Sequence, residues 1–340
     1  MTTVSVREYI GPEAMDVLAR QWRELYAEDD LATPFQSPAW LTAWARHLPY
    51  TATPIVLAAT SPTGRILAAL ALARYKDDAR TRFVPLSAPR AECVRLIGPH
   101  ADDPAVARAL AFHLLLVAET TGADVAMTDV PAASALGRSL NLFCQDSSWD
   151  CTTAAYATIP LPVRYTTLSR SAQREHARRR RTWTHLAANR TITYTRTRHL
   201  HDLLSAFDVL AQLHQHRRHG QDQQPAHTLA ADAAQWRSVL QHLGAATACI
   251  ATLTLDGTAI AAQLCLTRGP RCYALTPATD PAHRHLAPGH ALLRHLVADL
   301  AEEDVHTLAL GPTTSQQPGQ YGRVRSSTLT ALSTTHAAAA

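Results

Sequence analysis

Residues 275–310 read LTPATDPAHRHLAPGHALLRHLVADLAEEDVHTLAL, from Leu275 to Leu310. The pattern predicts a strand end, a loop bearing His283, Arg284, His285 and Gly289, a helix over 290–302 and a second strand over 305–310. A loop that feeds a helix N-terminus presents unpaired backbone N–H groups and the positive end of the helix dipole. Both favour an anion or a polarised carbonyl.

Outward from this stretch, Ala248–Leu255 and Thr258–Thr267 flank the turn Asp256-Gly257, the clearest hairpin signal in the chain, and Gly269–Thr276 follows as a strand. The same order occurs earlier. Thr53–Thr60 and Arg65–Tyr75 are strands joined by Ser61-Pro62-Thr63-Gly64, and Val94–Gly98 reads as the next strand. Pro104–Thr121 reads as a helix opened by Asp102 or Asp103 and closed by Gly122, with a strand at Asp124–Asp129. Hairpin, strand, helix and strand thus recur at an offset of roughly 180 to 190 residues, which predicts two copies of one α/β domain. The junction is expected near Ser147–Pro162, giving domains 1–155 and 156–335, the second with the donor site and the Arg-rich helix.

Ahead of the first copy, residues 13–27 form an amphipathic helix with Met15, Leu18 and Trp22 on one face. Ser37 is placed to cap a helix starting at Pro38, with Trp40, Leu41 and Trp44 on its apolar side. Between the copies, Leu168–Leu186 carries Arg170, Arg174, Arg178 and Arg181 on one helical face, beside Arg179 and Arg180, with only Glu175 to offset them. Guanidinium groups suit phosphates through bidentate hydrogen bonds, so this face points to a nucleotide-type donor or an RNA backbone rather than to plain solvation. The helix over 207–218 ends in His214, His216, Arg217 and Arg218; without carboxylates at regular spacing, this is a solvated helix end and not a metal site.

Composition bounds the rest. A 340-residue chain with 46% hydrophobic and 18% charged residues has room for two folded domains. The net charge of +4 is too small to argue for a polyanion by itself. The N-terminus lacks an apolar signal region and no run approaches a bilayer span. Cysteines 93, 144, 151, 249, 265 and 272 show no CxxC pair and no framework spacing, which predicts a reduced, cytoplasmic protein without structural zinc, without membrane association and without DNA as a partner.

Phe35-Gln36-Ser37-Pro38-Ala39-Trp40, the Arg-rich helix, Leu213-His214-Gln215-His216-Arg217, Asp256-Gly257-Thr258-Ala259-Ile260-Ala261, and Asp280-Pro281 with Pro288-Gly289 occur in the order found in one known family. Over roughly residues 30–325 the chain resembles BioF2-like (CelD-type) members of the GNAT superfamily, a group similar to the FemAB peptidyltransferases. The resemblance implies two tandem GNAT-like domains, each a mixed, mostly antiparallel sheet flanked by helices. It also implies N-acyl transfer to an amine, from an acyl-CoA or, in the Fem branch, from an aminoacyl-tRNA. Two features depart from the pattern. Arg284–Ala291 keeps one glycine of the CoA pyrophosphate loop, and Pro288 removes a backbone donor. The Gly-Asp and Tyr-Lys pairs expected after the last strand are replaced by Gly311-Pro312-Thr313-Thr314-Ser315 and, later, Gln320-Tyr321-Gly322-Arg323, so the acid is absent.

Acyl transfer to an amine needs a neutral nucleophile, a polarised carbonyl and a route for the departing proton. No GxSxG motif or Cys–His pair signals a covalent nucleophile. Tyr273, His285 and Tyr321 are the candidates for proton transfer. Arg284 and Gly289, with His290, Arg174, Arg178 and Arg181, are expected to hold the donor, and Phe35, Trp40 and Arg217 the acceptor. The expected function is aminoacyl transfer from aminoacyl-tRNA to a small specialised metabolite, as in antibiotic biosynthesis, with no resident cofactor. An acyl-CoA (acetyl-CoA) donor is the alternative, and a nucleic-acid-binding or scaffold protein that has lost its chemistry the second.

Overall fold

The computed structural model describes residues 4–76, 80–88, 90–146, 149–219, 232–313, 321 and 324–333. In chain order its elements begin β1 (Ser5–Ile10), α1 (Pro12–Arg20), α2 (Trp22–Ala27), α3 (Pro38–Arg46), β2 (Ala52–Thr60), β3 (Ile66–Lys76), β4 (Thr81–Pro85), α4 (Pro104–Thr121), β5 (Asp124–Pro131), α5 (Ala135–Asp146) and β6 (Asp150–Pro160). They continue with α6 (Arg170–Ala187), β7 (Ile192–Arg196), α7 (Leu200–His219), α8 (Ala233–Leu243), β8 (Ala248–Leu255), β9 (Thr258–Arg268), β10 (Arg271–Thr279), α9 (Pro288–Ala301), β11 (Thr307–Thr313) and β12 (Val324–Ser333). The chain divides into two units, Met1–Ala155 with Ser326–Ala340, and Tyr156–Arg325. The tail that follows residue 325 therefore groups with the first unit, whereas the sequence reading carried the second domain on to residue 335.

In the first unit the strand order is β1-β2-β3-β4-β5-β12. The pairs from β1 to β4 and β5 with β12 are antiparallel, and β4 with β5 is parallel across the α4 crossover. Helix α4 keeps the limits its sequence marks. Asp103 Oδ1 accepts from the Ala105 and Val106 N–H groups, and Gly122 closes the helix at φ 64°. Ser37 caps α3 by accepting from the Trp40 N–H at 3.2 Å. Residues 13–27 do not form one helix but break at Gln21, just before Trp22, which is buried and donates its indole N–H to Gln36 O at 2.8 Å. Val94–Gly98 is not a strand: β4, missed in the sequence, takes that place beside β3, and only Ile97 forms a bridge, to Ala69. Cys144 at the end of α5 and Cys151 at the start of β6 lie side by side, their Cα atoms 5.9 Å apart.

The second unit has the order β6-β11-β10-β9-β8-β7. Strands β7 to β10 are antiparallel neighbours, and β10 pairs with β11 in parallel across α9. Asp256 and Gly257 both take positive φ, 49° and 80°, as a two-residue β8–β9 turn requires. Helix α9 covers one face with Ala291, Leu292, Leu296, Val297 and Leu300 over Cys249, Cys265, Cys272 and Ala274. Helix α7 packs against β8, β9 and β10, and buries Leu203, Phe207 and Leu210. Each such side chain contributes about 1.5–3 kcal/mol on burial.

Candidate functional site

The site forms where β10 and β11 part. Their registered pairing runs from Arg271↔Thr307 to Tyr273↔Ala309. Beyond it β10 continues along β9 to Thr279, with a register shift between Leu275 and Ala278. Two residues cause the shift: Thr276 sits at φ 49°, and Pro277 has no N–H to give to a neighbour. Gln263 steadies the bulge from β9, its Nε2 donating to Leu275 O at 2.5 Å and Leu264 O at 3.1 Å. The gap between the parted strands opens a cavity of about 490 Å³. Ala262, Ala274, Leu292, Leu296 and Leu310 give it apolar walls; Gln263, Thr279, Arg284 and His290 supply polar groups.

The route from β10 to α9 is tightly fixed. The Asp280 N–H donates to Ile260 O at 2.9 Å, holding the turn to β9. Residues Pro281–Leu286 form a 3-10 turn capped by Asp280, whose Oδ1 accepts from the Ala282 N–H at 3.0 Å. Ala287 at φ 49° reverses the chain into Pro288, the first residue of α9. That helix start is poor in free donors. Pro288 has no N–H and the His290 N–H is bonded to Ala287 O, so Gly289 supplies the remaining first-turn amide. A Cβ on Gly289 would lie 3.3 Å from Thr279 Cγ2, so glycine permits the close approach of α9 to β10.

Of the residues expected to hold the donor, Arg284, Gly289 and His290 line this cavity. Arg174, Arg178 and Arg181 are exposed on α6, as one outer face. Of these three, Arg178 is paired with Glu175. Glu175 accepts from Arg178 at 2.9 and 2.7 Å and from Arg179 at 2.5 Å, and these bonds, Arg178's first, pull its carboxyl down to about 2. The inner face of α6 docks on the site: the buried Trp183 donates its indole N–H to Leu286 O at 3.1 Å.

The proton-transfer candidates separate. Tyr321 is buried and donates its hydroxyl to His290 O at 3.1 Å, with the His176 ring edge-on at 4.6 Å. Tyr273 alternates with Cys272 and Ala274, which face α9, so its buried side chain lies on the opposite face, the one α7 packs against. His285 is exposed on the 3-10 turn and is not a cavity residue. The acceptor assignment of Phe35 and Trp40 is corrected: both are fully buried in the first unit, their rings meeting edge-on at 5.3 Å as core. Arg217 falls within α7, with its side chain outside the described residues.

Sequence reading missed Gln263 and a pair beside the cavity. Asp280 Oδ2 lies 2.7 Å from His283 Nδ1. Burial pushes the Asp280 carboxyl up, but the Ala282 N–H, His283 and the nearby His216 outweigh it, so the group is held below the usual carboxylate range. The signal was present in Asp280-Pro281 followed by His283, a cap with its partner three residues on. Among the described residues, no group of three His, Cys, Asp or Glu side chains could hold a metal ion, and no helix is long and apolar enough to cross a membrane.

Residues 171–321 match the family model described as an acetyltransferase (GNAT) domain. No protein of curated function matches the chain by sequence. Among solved structures, FemX is similar at 11% identity and TM-score 0.61, covering 96% of each chain. A tandem GNAT protein from the clavulanic acid biosynthesis pathway is similar at 13% identity and TM-score 0.53, covering 97% of this chain and 98% of that one. The C-terminal domain of a putative lysylphosphatidylglycerol synthetase from Agrobacterium fabrum follows at 12% identity and TM-score 0.51, covering 80% and 82%. The fold is thus that of tandem GNAT proteins, with two GNAT-like units. The match to a GNAT acetyltransferase domain lies in the second unit, and the fold of the chain is similar to that of FemX and of a tandem GNAT protein.

Proposed function

We propose that the second unit transfers an aminoacyl group from an aminoacyl-tRNA to the amine of a small specialised metabolite in the cytoplasm. The observation that carries this reading is the amide-poor start of α9 beside an exposed arginine row. A CoA pyrophosphate needs several convergent backbone N–H groups, and this turn offers the one at Gly289 together with the Arg284 guanidinium. Arg174, Arg178 and Arg181 present a longer cationic surface, suited to a phosphate backbone. The contact from Trp183 to Leu286 joins that helix to the cavity's turn. The shared fold with FemX and with a lysylphosphatidylglycerol synthetase domain supports aminoacyl chemistry.

An acyl-CoA donor is the second reading, favoured by the apolar cavity walls, which suit a pantetheine arm. The two readings differ in a transfer assay with charged tRNA and an amine mixture. The tRNA reading predicts product that ribonuclease pretreatment abolishes. Product that survives ribonuclease, or that forms from acetyl-CoA alone, replaces it with the CoA reading.

A further inference from the structure

We infer that the group carried into the cavity is an apolar aminoacyl group, with its α-amino group on Gln263 Oε1 and its side chain against the walls that α9, β10 and β11 supply. This rests on the aminoacyl-tRNA reading above and deepens it, by naming the class of amino acid transferred. Two separate features of the lining carry it: an open hydrogen-bond acceptor, and apolar surface broad enough for a large side chain. Both belong to the second unit, at the gap where β10 and β11 part.

Gln263 itself lines the cavity, and its partners fix which way its side-chain amide is turned. Leu275 O and Leu264 O only accept, so the amide nitrogen faces them, at 2.5 and 3.1 Å. The two N–H groups are thereby used, and Oε1 is turned away from both carbonyls. Among the described residues Oε1 takes no hydrogen bond, and it is not sealed in the core, so it stands as an open acceptor beside the β10 bulge. Such an oxygen binds a group that brings its own proton. The α-amino group of an aminoacyl ester does so, and a plain acyl group such as acetyl does not.

The walls select the rest of the group. Short side chains at Ala262 and Ala274 leave the room, and Leu292, Leu296 and Leu310 face it with apolar surface, around a volume of about 490 Å³. A two-carbon acetyl group leaves most of that surface uncovered, whereas a leucyl or phenylalanyl side chain displaces water from it, and each buried methylene adds to binding. Arg284 brings a positive charge to the lining, so a lysyl side chain meets a like charge there. An ionised glutamyl side chain loses its hydration against the leucines.

The test is a donor series with an amine pool as acceptor. It uses tRNA charged with leucine, phenylalanine, alanine, lysine or glutamate, and tRNA acylated with isocaproate, the leucyl group without its amine. With the wild-type protein, leucyl and phenylalanyl donors should exceed alanyl, lysyl and glutamyl donors in kcat/KM by about 10–200-fold. The isocaproyl donor should fall about tenfold below leucyl. Gln263→Met keeps the length of the side chain without its amide, and should bring leucyl and isocaproyl donors to the same kcat/KM. A glutamine that only steadies the bulge gives another result: the variant slows both donors by one factor and keeps their wild-type ratio, which would remove the amino-group contact. The wild-type ratios need no variant. Equal rates from leucyl, lysyl and glutamyl donors, or from leucyl and isocaproyl donors, would overturn the inference and leave tRNA-dependent transfer in place. Transfer from acyl-CoA with no product from any charged tRNA would overturn the aminoacyl-tRNA reading, and this inference with it.

Discussion

Gly289 is the residue at which one methyl group decides how much room a donor has. Its backbone is helical, so alanine is conformationally allowed there and stability should change by no more than about 1 kcal/mol. The added Cβ would press on Thr279 Cγ2 at 3.3 Å, at the polar end of the cavity. Gly289→Ala should raise the donor KM about tenfold, because small displacements at a reacting site are costly. An unchanged donor KM in steady-state kinetics would place the donor elsewhere. Glu175 gives a second residue-level prediction. Its folded pKa of about 2 lies below the unfolded value of about 4.3, so its ion pairs stabilise the fold above that value and are lost as pH falls towards 2. Urea unfolding between pH 5 and pH 2.5 should therefore show the wild-type protein losing stability relative to Glu175→Gln. A constant difference over that range would mean the pairs with Arg178 and Arg179 do not form.

Element by element, the sequence was most readable where local chemistry alone decides the outcome. The limits of α4 follow from Asp103, Pro104 and Gly122, and the β8–β9 hairpin follows from Asp256-Gly257, since caps and two-residue turns are specified by their own residues. Strand β4 was not legible, because Thr81–Pro85 becomes a strand only through its partners on β3. The candidate site divides the same way. Arg284, Gly289 and His290 could be placed at the cavity from the strand–loop–helix pattern, whereas the burial of Phe35 and Trp40 depends on the fold of the whole first unit. Gln263 serves a contact that appears only once β9 lies beside the β10 bulge, whereas the Asp280–His283 pair is local to its turn. Helix α6 carries its own tests. Trp183→Phe removes the bond to Leu286 O and should cost about 1 kcal/mol in denaturant unfolding; no loss would mean that α6 is held without it. Replacing Arg174, Arg178 and Arg181 with alanine should flatten the salt dependence of tRNA binding by about 0.7–0.9 log units per phosphate contact removed. An unchanged slope would take the phosphate role away from this face.

At the level of the molecule, both units carry the same succession of hairpin, strand, crossover helix and parallel strand: β2-β3-β4-α4-β5 in the first and β8-β9-β10-α9-β11 in the second. The cavity described above lies within the second, where Thr276 and Pro277 make the bulge and the strands part. In the first, Trp22, Phe35 and Trp40 are buried to within 1% of full coverage as core. The central claim is amide formation by the second unit, and mass spectrometry of a single reaction tests it most directly. Purified protein is incubated with a pool of charged tRNAs, acyl-CoAs and primary amines. The account predicts a new N-acyl product whose mass equals the donor's acyl group plus the amine less one hydrogen, formed in step with release of uncharged tRNA or free thiol. Hydrolysis of the donors at the background rate, with no amide in any combination, would contradict it.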